Sequence, residues 1–396
     1  MNVLHISSSD SGGAGIAAYR LHHALMESGV DSKMLCLNRY HKDNVYTYNV
    51  PLIDRLISHL SIPYRQNKYR TLIQATSSFY ESTTFPEAIY DISNHPLIQE
   101  SDVINLHWIG GMLNYPKFFR NVKKPIVWTL HDMNPFLGFA HYEGDRERNI
   151  QFAKSEEKVR DLKLKAYSQH GNITVVNLCK WMCDYSSNSE AFKNRHHTII
   201  PNCIDTSIFR NYDQAALRTI LDLPIDKPVI MFCCQSLINP RKGFDLLLDA
   251  LPGISSECYF LVIGNNSGIP DLKNCNIKSL GTVSDEKYMA LLYAASDVHV
   301  LPSREDNLPN TMLESLCCGT PVISFSNGGM RDIIKDGFNG ILVKDQTGMA
   351  LADAINNFIA TKAKFDRNEI IKTAHTQFAP EIQANRYIEL YNSIVQ

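Results

Sequence analysis

Short apolar runs alternate with helical stretches along this chain, and this alternation limits most strongly how the chain can fold. The runs carry almost no charge, so each predicts a strand buried on both faces, as in a parallel sheet covered by helices. They are residues 3–6, 32–38, 102–108, 125–132 and 172–178, followed by 228–235, 258–265, 277–283, 297–303, 320–325 and 340–344. The pattern predicts an α/β protein of two doubly wound domains, with ligands at the carboxyl ends of the strands.

The domain boundary is predicted within TIIPNCIDTSIFR, residues 198–210, where an apolar run ends at a Pro-Asn step. The predicted domains are 1–201 and 202–375, and two facing domains would form a cleft between their ligand-binding edges. Residues 376–396 predict an amphipathic helix. Residues 40–95 break the pattern, and we expect helices and loops there.

Charge and composition exclude several classes of protein. The 396 residues carry a formal net charge of -2, which is not the basic surface of a nucleic-acid-binding protein. The N-terminus does not resemble a signal peptide, and no apolar run is long enough to span a membrane. The ten cysteines show no metal-binding or secreted-scaffold spacing. We therefore expect a cytoplasmic protein.

A glycine-rich loop, SSSDSGGAGIAAY, follows the first strand and loosely matches a dinucleotide fingerprint at Gly13-x-Gly15-x-x-Ala18. The second strand ends without the acidic residue that this fingerprint requires, which disfavours a nicotinamide or flavin cofactor and an oxidoreductase. Two interpretations remain. The loop is either a tight turn needed for packing, or a cradle of backbone N–H groups from Gly12 and Gly13 that meets a ligand.

His107 and His131 each end an apolar strand, where ligand sites form in such domains. A single histidine there is usually structural, but two near the glycine loop favour a functional role. A neutral imidazole can donate to a sugar hydroxyl or to a leaving-group oxygen. Asp132 could orient His131 or accept from a hydroxyl. No metal-binding spacing occurs, so no metal is expected.

Arg241 and Lys242 lie in the turn between a strand and a helix that begins near Phe244. Positive charge at this place suits a phosphate group, because Arg binds phosphate with its fork and Lys as a point charge. The alternative is a solvated turn.

The stretch SREDNLPNTMLESLCCGTPVI, residues 303–323, brings carboxylates to the start of a helix. Asn310 is a predicted N-cap, Thr311-x-x-Glu314 has the spacing of a capping box, and Gly319 should end the helix. Capping leaves Glu305, Asp306 and Asn307 unexplained. Carboxylates that accept from hydroxyls, beside helix N–H groups that meet a pyrophosphate, suit a nucleotide sugar.

With PRKG upstream and PNCID at the crossover, this stretch resembles the retaining, mostly metal-independent GT-B glycosyltransferases of family 4. The resemblance covers nearly the whole chain and is closest to bacterial exopolysaccharide, capsule and O-antigen transferases. It implies two Rossmann-like domains facing across a cleft, with the C-terminal helix crossing back onto the first. It also implies sugar transfer from a nucleotide sugar to a saccharide acceptor, often lipid-linked, without a cofactor.

The resemblance also implies roles for individual residues. Glu314 matches the glutamate that binds the ribose, and Asp306 or Glu305 stands where the family has a second glutamate beside the donor sugar, with Asp306 preferred. Lys242 matches the diphosphate-binding lysine, while Leu237 replaces the usual arginine, a role that Arg241 could take. His131 matches a histidine that contacts the donor sugar.

Other positions of the family's donor site match a set of small and polar residues: Gly12, Gly13, Gly264, Asn307, Asn310, Thr311, Gly328 and Gly329. The family is described by front-face attack, in which the departing phosphate accepts the acceptor's proton. In that mechanism Arg241, Lys242 and the helix start at Asn310 stabilise charge on the leaving group. Domain closure would exclude water.

Two alternatives of the same fold stay open: a nucleotide-sugar epimerase and a non-catalytic nucleotide-sugar binder. Residues 55–73 and 112–127 mix basic, aromatic and aliphatic side chains, which would suit contact with the cytoplasmic face of the inner membrane or simply a solvated face.

Overall fold

The computed structural model describes residues 1–49, 69, 71–77, 80–88, 91–254, 257–265 and 276–395. The chain divides into two compact units. The first consists of Met1–Asn202 with Gln383–Gln396, and the second is Cys203–Ile382. Each unit is built on its own sheet.

The sheet of the first unit has seven strands in the order β3-β2-β1-β4-β5-β6-β7, and all its pairs are parallel. The strands are β1 Asn2–Ile6, β2 Asp31–Cys36, β3 Val45–Thr47, β4 Val103–Leu106, β5 Ile126–Leu130, β6 Ile173–Asn177 and β7 His196–Ile199. The strand order reverses between β1 and β4, so the ends of these two strands flank the switch point where such sheets bind ligands.

Helices connect these parallel strands, because a parallel connection must cross a face of the sheet. In the first unit they are α1 Gly12–Glu27, α2 Pro96–Glu100, α3 Tyr115–Asn121, α4 Glu143–Arg148, α5 Ala153–Tyr167 and α6 Lys180–Asn188.

The sheet of the second unit has six strands in the order β10-β9-β8-β11-β12-β13, again with parallel pairs throughout. They are β8 Val229–Ser236, β9 Tyr259–Asn265, β10 Ile277–Gly281, β11 Val298–Leu301, β12 Val322–Phe325 and β13 Gly340–Val343. Its switch point lies between β8 and β11.

The helices of the second unit are α7 Gln214–Ile220, α8 Phe244–Ala250, α9 Glu286–Ala295, α10 Asn310–Cys317, α11 Met330–Ile333, α12 Gly348–Thr361 and α13 Arg367–Phe378. The last helix, α14, spans Pro380–Val395. From Gln383 onward it belongs to the first unit, where Tyr387 and Tyr391 are fully buried beside Val103 and Val127 of the sheet.

The prediction of two doubly wound parallel domains is confirmed, and every predicted strand forms. Two strands were not expected. β3 lies within residues 40–95, where we expected only helices and loops, and residues 50–68, 70, 78–79 and 89–90 of that range lie outside the described residues. β7 begins at His196, before the apolar run assigned to the crossover. Both are short edge strands, and β7 is largely accessible, so neither has the unbroken apolar run of a central strand.

The expected membrane-contact stretch 112–127 has a different role in the structure. Its apolar side chains are buried in the first unit: Met112, Leu113, Tyr115, Phe118, Phe119 and Val122. What remains exposed includes Arg120 and Lys123, without aromatic or aliphatic neighbours from this stretch. The second stretch, 55–73, falls almost entirely outside the described residues. Within the described part of the chain, no helix is long and apolar enough to cross a membrane.

Candidate functional site

In the second unit, the predicted basic pair lies directly after β8 in a short 3-10 turn, Pro240–Lys242. The side chain of Asn239 caps this turn by accepting from the Arg241 N–H at 3.0 Å. Gly243 follows with a φ of 71°, and a Cβ there would lie 1.9 Å from the carbonyl oxygen of Pro302. Only glycine fits, so the loop after β8 is packed directly against the loop after β11.

This contact brings both cations to one carboxylate. Lys242 Nζ lies 2.5 Å and Arg241 Nη1 3.4 Å from Oδ2 of Asp306. Arg241 Nη1 also donates to the backbone oxygen of Glu305 at 2.9 Å. Asp306 is 6% exposed. Burial by itself would raise its pKa, but the charges of Lys242 and Arg241, with the hydrogen bonds, hold the pKa below its ordinary value. The cluster therefore carries two positive charges and one negative charge.

The glycine pair Gly328 and Gly329 holds the backbone of Asp306. A Cβ on Gly328, whose φ is 51°, would lie 2.0 Å from the Asp306 carbonyl oxygen, and the N–H of Gly329 donates to that oxygen at 3.1 Å. Asn307 donates its N–H to the Asp306 carboxylate at 3.1 Å. Glu305, by contrast, keeps a half-buried side chain. The Asp306 carboxylate thus contacts both cations.

The helix α10 begins differently from our expectation. Pro309 occupies the N-cap position, Asn310 is the first helical residue, and no side chain caps this end. The fixed φ of proline suits a helix start, which explains the shift. The capping box at Thr311 is therefore wrong as well. Glu314 is 8% exposed and accepts from the Tyr293 hydroxyl at 3.3 Å.

Gly264 and Leu237 are packed together at the end of β9. A Cβ on Gly264, with a φ of 150°, would lie 2.5 Å from the Cys234 carbonyl oxygen and 3.0 Å from Cδ2 of Leu237. Leu237 is 5% exposed and belongs to the apolar core of the second unit. The position where the family resemblance led us to expect an arginine is thus apolar here, and Gly264 permits a close approach of two strands.

In the first unit, the structure accounts for the packing role of the glycine loop at Gly15 and leaves the ligand role of Gly12 and Gly13 a prediction. A Cβ on Gly15 would lie 2.6 Å from the Ser9 carbonyl oxygen, so this glycine lets the start of α1 pack on the loop. Gly12 has a φ of 73°, and no atom lies within 4 Å of a Cβ placed on it or on Gly13. The space beside Gly12 and Gly13 is open to a ligand.

His107 and His131, predicted at neighbouring strand ends, are hydrogen-bonded to each other. His107 Nδ1 lies 3.0 Å from His131 Nε2, and His107 Nε2 lies 2.9 Å from Nδ1 of His5 in β1. Burial lowers the pKa of His131 to about 4, although the charge of Asp132 opposes this, and burial also lowers the pKa of His5 and His107 well below the ordinary value. All three imidazoles are neutral at pH 7.

Asp132 does not orient His131, contrary to one of our two expectations for it. Its carboxylate accepts from Trp108 Nε1 at 3.0 Å and pairs with His141 Nδ1 at 2.6 Å. His141 Nε2 in turn contacts the Thr84 hydroxyl at 2.8 Å. His107, Trp108, His131, Asp132 and His141 line one pocket of the first unit.

The structure thus forms two groups from the predicted residues. In the first group, Arg241 and Lys242 contact the Asp306 carboxylate and the Gly328–Gly329 pair contacts the Asp306 backbone, in the connection from β11 to α10. The second group is the hydrogen-bonded pair of His107 and His131. Neither His5 nor His141 was identified from the sequence. His5 offered one signal, a histidine within the otherwise apolar run NVLHI; His141 offered none, because its partner Asp132 is reached only by tertiary folding. Among the described residues, no group of three His, Cys, Asp or Glu side chains could hold a metal ion.

Comparisons with known proteins agree with this geometry. Residues 227–361 match the family described as glycosyl transferases group 1. A D-inositol 3-phosphate glycosyltransferase from Thermobispora bispora is 26% identical over 73% of this chain and 68% of its own length. One from Xylanimonas cellulosilytica is 31% identical over 65% and 64%. The chain therefore spans about two thirds of the length of these curated relatives.

Among solved structures, HepE from Anabaena in complex with UDP-glucose has a TM-score of 0.69 at 16% identity, covering 99% of this chain and 100% of that one. At this identity the likeness supports the fold alone, which is that of two Rossmann-like domains. Residues 227–361 match the glycosyl transferases of group 1, and this match and the names of the curated relatives support a glycosyltransferase.

Proposed function

We propose that this chain transfers a sugar, with retention of anomeric configuration, from a nucleoside diphosphate sugar to a hydroxyl group of an acceptor. The observation that carries the proposal is the Arg241–Lys242–Asp306 cluster. It lies at the switch point of the second sheet and inside the segment that matches the family.

In this proposal Lys242 and Arg241 bind the diphosphate. Asp306 neutralises part of their charge in the absence of donor, so the donor's phosphates take over these contacts on binding. Asp306 then faces the donor sugar, and Glu314 accepts from the ribose. Two cations that approach the leaving diphosphate stabilise the charge that develops as the glycosidic bond breaks.

We propose that His131 donates to the donor sugar and that the backbone of Gly12 and Gly13 contacts the donor as well. The acceptor hydroxyl attacks the anomeric carbon from the face that the phosphate leaves, and the departing phosphate oxygen takes the hydroxyl proton. No cofactor or metal is required by this scheme, because charge on the leaving group is met by side chains.

The acceptor we propose is a saccharide, lipid-linked, in the synthesis of a bacterial surface polysaccharide. A second candidate is an inositol phosphate, which is favoured by the names of the curated relatives, D-inositol 3-phosphate glycosyltransferases. UDP-glucose is the first donor to test, since the neighbour HepE was solved with it.

The test is a panel of nucleotide sugars assayed with and without saccharide and inositol phosphate acceptors, with the anomeric configuration of the product read by NMR. We expect transfer with retention, which Lys242→Ala lowers roughly 100-fold in kcat/KM. Glu314→Ala should mainly raise the donor KM. The matched control is Lys287→Ala, an exposed lysine of the same unit, which should leave the rate unchanged.

Two results would contradict the proposal. Transfer by Lys242→Ala at the wild-type rate would remove the cluster from the site. Conversion of a donor to its epimer without any acceptor would identify the epimerase alternative instead.

A further inference from the structure

Three imidazoles form a continuous hydrogen-bonded row through the first unit. His5 lies in β1, while His107 and His131 directly follow β4 and β5, and these three strands are neighbours in the sheet. Ring centroids are 5.2 Å apart for the first pair and 5.3 Å for the second. The row runs from the core outward, since His5 is fully buried and His131 is half-buried against the pocket that also contains Trp108.

The two ends of the row differ. His5 Nε2 is buried and has no hydrogen-bond partner among the described residues. The neighbouring ring of His22 cannot supply one, because its two nitrogens are engaged by the Ser32 hydroxyl at 2.7 Å and the Asp43 carbonyl at 2.9 Å. His131 Nδ1, at the other end, is the only nitrogen of the row that can reach a ligand.

The positions of the protons on the three rings are coupled. Each neutral imidazole has one N–H and one acceptor nitrogen, so two hydrogen bonds among three rings allow only two arrangements. In one, every Nδ1 carries the proton, and His131 presents a donor to the pocket. In the other, every Nε2 carries it, so His131 presents an acceptor and His5 buries an N–H without a partner.

The two arrangements differ in whether His5 Nε2, at the buried end of the row, carries a proton. Unpartnered buried N–H groups are rarer in proteins than under-satisfied acceptors, and an unmade hydrogen bond in a buried site costs about 1–3 kcal/mol. The arrangement with every proton on Nδ1 leaves no buried N–H at His5 Nε2 without a partner.

We propose that His5 and His107 are positioning residues that hold His131 in its Nδ1–H tautomer, so that a neutral His131 donates a hydrogen bond into the pocket. This inference rests on the proposed function for the identity of the acceptor, which is an oxygen of the donor sugar or of its leaving group. The tautomer itself is a property of the free protein and does not depend on any substrate.

The direct test is NMR of the full-length protein with 15N-labelled histidine at pH 7.5, with the His131 signals assigned by comparison with His131→Ala. Long-range couplings distinguish a protonated ring nitrogen from an unprotonated one. We expect a protonated Nδ1 and an unprotonated Nε2. A protonated Nε2 with a free Nδ1 would overturn the proposal, and this measurement requires no variant of His5.

The coupling is tested with His5→Phe, which leaves His107 Nε2 without its partner. We expect His131 to lose its single tautomer and kcat to fall about 10-fold, with a smaller change in the donor KM. His22→Gln is the matched control, because His22 contacts the His5 ring without joining the row, and it should leave the His131 tautomer unchanged. An unaltered His131 spectrum in a folded His5→Phe protein would also overturn the proposal.

These outcomes distinguish a failure of the positioning inference from a failure of the proposed function. If the wild-type protein shows the Nδ1–H tautomer but transfers no sugar from any donor, the proposed function fails and the positioning inference stands. If the protein transfers sugar with His131 in its Nε2–H tautomer, the positioning inference fails and the proposed function stands.

Discussion

Lys163, on α5, is a buried cation whose environment is set by other elements. It is 1% exposed, and its ammonium group donates to the backbone oxygen of Asn134 at 2.5 Å and to the side-chain oxygen at 3.0 Å. Burial lowers its pKa from 10.5 to about 7, although the nearby charge of Glu156 opposes this. Lys163 secures the loop that follows β5, which carries Asp132 and begins beside His131.

This pKa predicts how the stability of the first unit depends on pH. Between pH 7 and 10.5 the unfolded chain holds a proton on Lys163 that the folded protein has released, so the Lys163 contribution to stability rises with pH in this window. Relative to Lys163→Met, we expect the wild type to gain up to about 1.4 kcal/mol per pH unit between pH 7 and 9.

Unfolding in urea at several pH values, followed by tryptophan fluorescence, measures this difference, since Trp108, Trp128 and Trp181 all lie in the first unit. The control is Lys165→Met, an exposed lysine two positions along the same helix, whose stability difference from wild type should stay constant. A constant difference for Lys163→Met as well would show that Lys163 is not buried as described.

For single residues, the sequence indicated which residues belong to the candidate site better than it indicated which of them contact each other. Asp306 could be selected beside Lys242 because both lie in short loops of recognisable composition. The contacts of Asp306 with Lys242 and Arg241 needed the structure, since the spacing of the two loops in the sequence does not show that they are packed together. His5 was missed because a single histidine in an apolar strand gives no sign of the rings packed beside it.

The helix α10, which carries Glu314, is held in place at its C-terminal end. Gly319 has a φ of 75°, and its N–H donates to Leu316 O at 3.0 Å while Thr320 N–H donates to Ser315 O at 2.9 Å. These two bonds form a Schellman motif. The guanidinium of Arg367 adds hydrogen bonds to Cys318 O at 3.2 Å and to the Thr320 hydroxyl at 2.9 Å.

Gly319→Ala is therefore expected to destabilise the second unit more than the same change at another left-handed glycine. A Cβ there would lie 2.8 Å from Arg367 O and 2.9 Å from Ile371 Cδ1. The left-handed φ costs alanine about 1–2 kcal/mol, and the contact adds about 1–3 kcal/mol. Gly337→Ala is the matched control, because Gly337 has a φ of 76° with no atom within 4 Å.

Urea unfolding followed by circular dichroism gives both free energies of unfolding. Equal losses for Gly319→Ala and Gly337→Ala would mean that the end of α10 can shift away from Arg367. The C-terminal glycine of this helix was predicted from its sequence, because a left-handed C′ residue is a local requirement. The N-terminal cap was not, since Pro309 and Asn310 are both acceptable there by composition.

For the molecule as a whole, the C-terminal segment completes the core of the first unit. Tyr391 accepts at its hydroxyl from Asn105 Nδ2 at 2.8 Å, and Thr129 donates to Asn105 Oδ1 at 2.9 Å. The Tyr387 hydroxyl lies 2.9 Å from the Thr129 hydroxyl. Polar side chains of β4 and β5 thus depend in part on partners that lie more than 250 positions later in the chain.

Tyr391→Phe should lower the free energy of unfolding of the first unit by about 1–2 kcal/mol, because Asn105 Nδ2 loses its buried partner. Tryptophan fluorescence during urea unfolding again reports this unit. Tyr40→Phe, at a side chain that is 70% exposed, is the control and should have no effect. A negligible loss for Tyr391→Phe would indicate that Asn105 finds another partner or that the segment contributes little to the core.

The sequence by itself determined the two doubly wound domains, the strand ends that carry polar residues and the family resemblance, because each depends on local periodicity or on a short motif. The tertiary structure decided which polar groups meet. The row from His5 to His131 and the bonds from Asn105 to Tyr391 join residues far apart in the chain. Strand order and packing create these contacts, and neither is encoded in the spacing of any one segment.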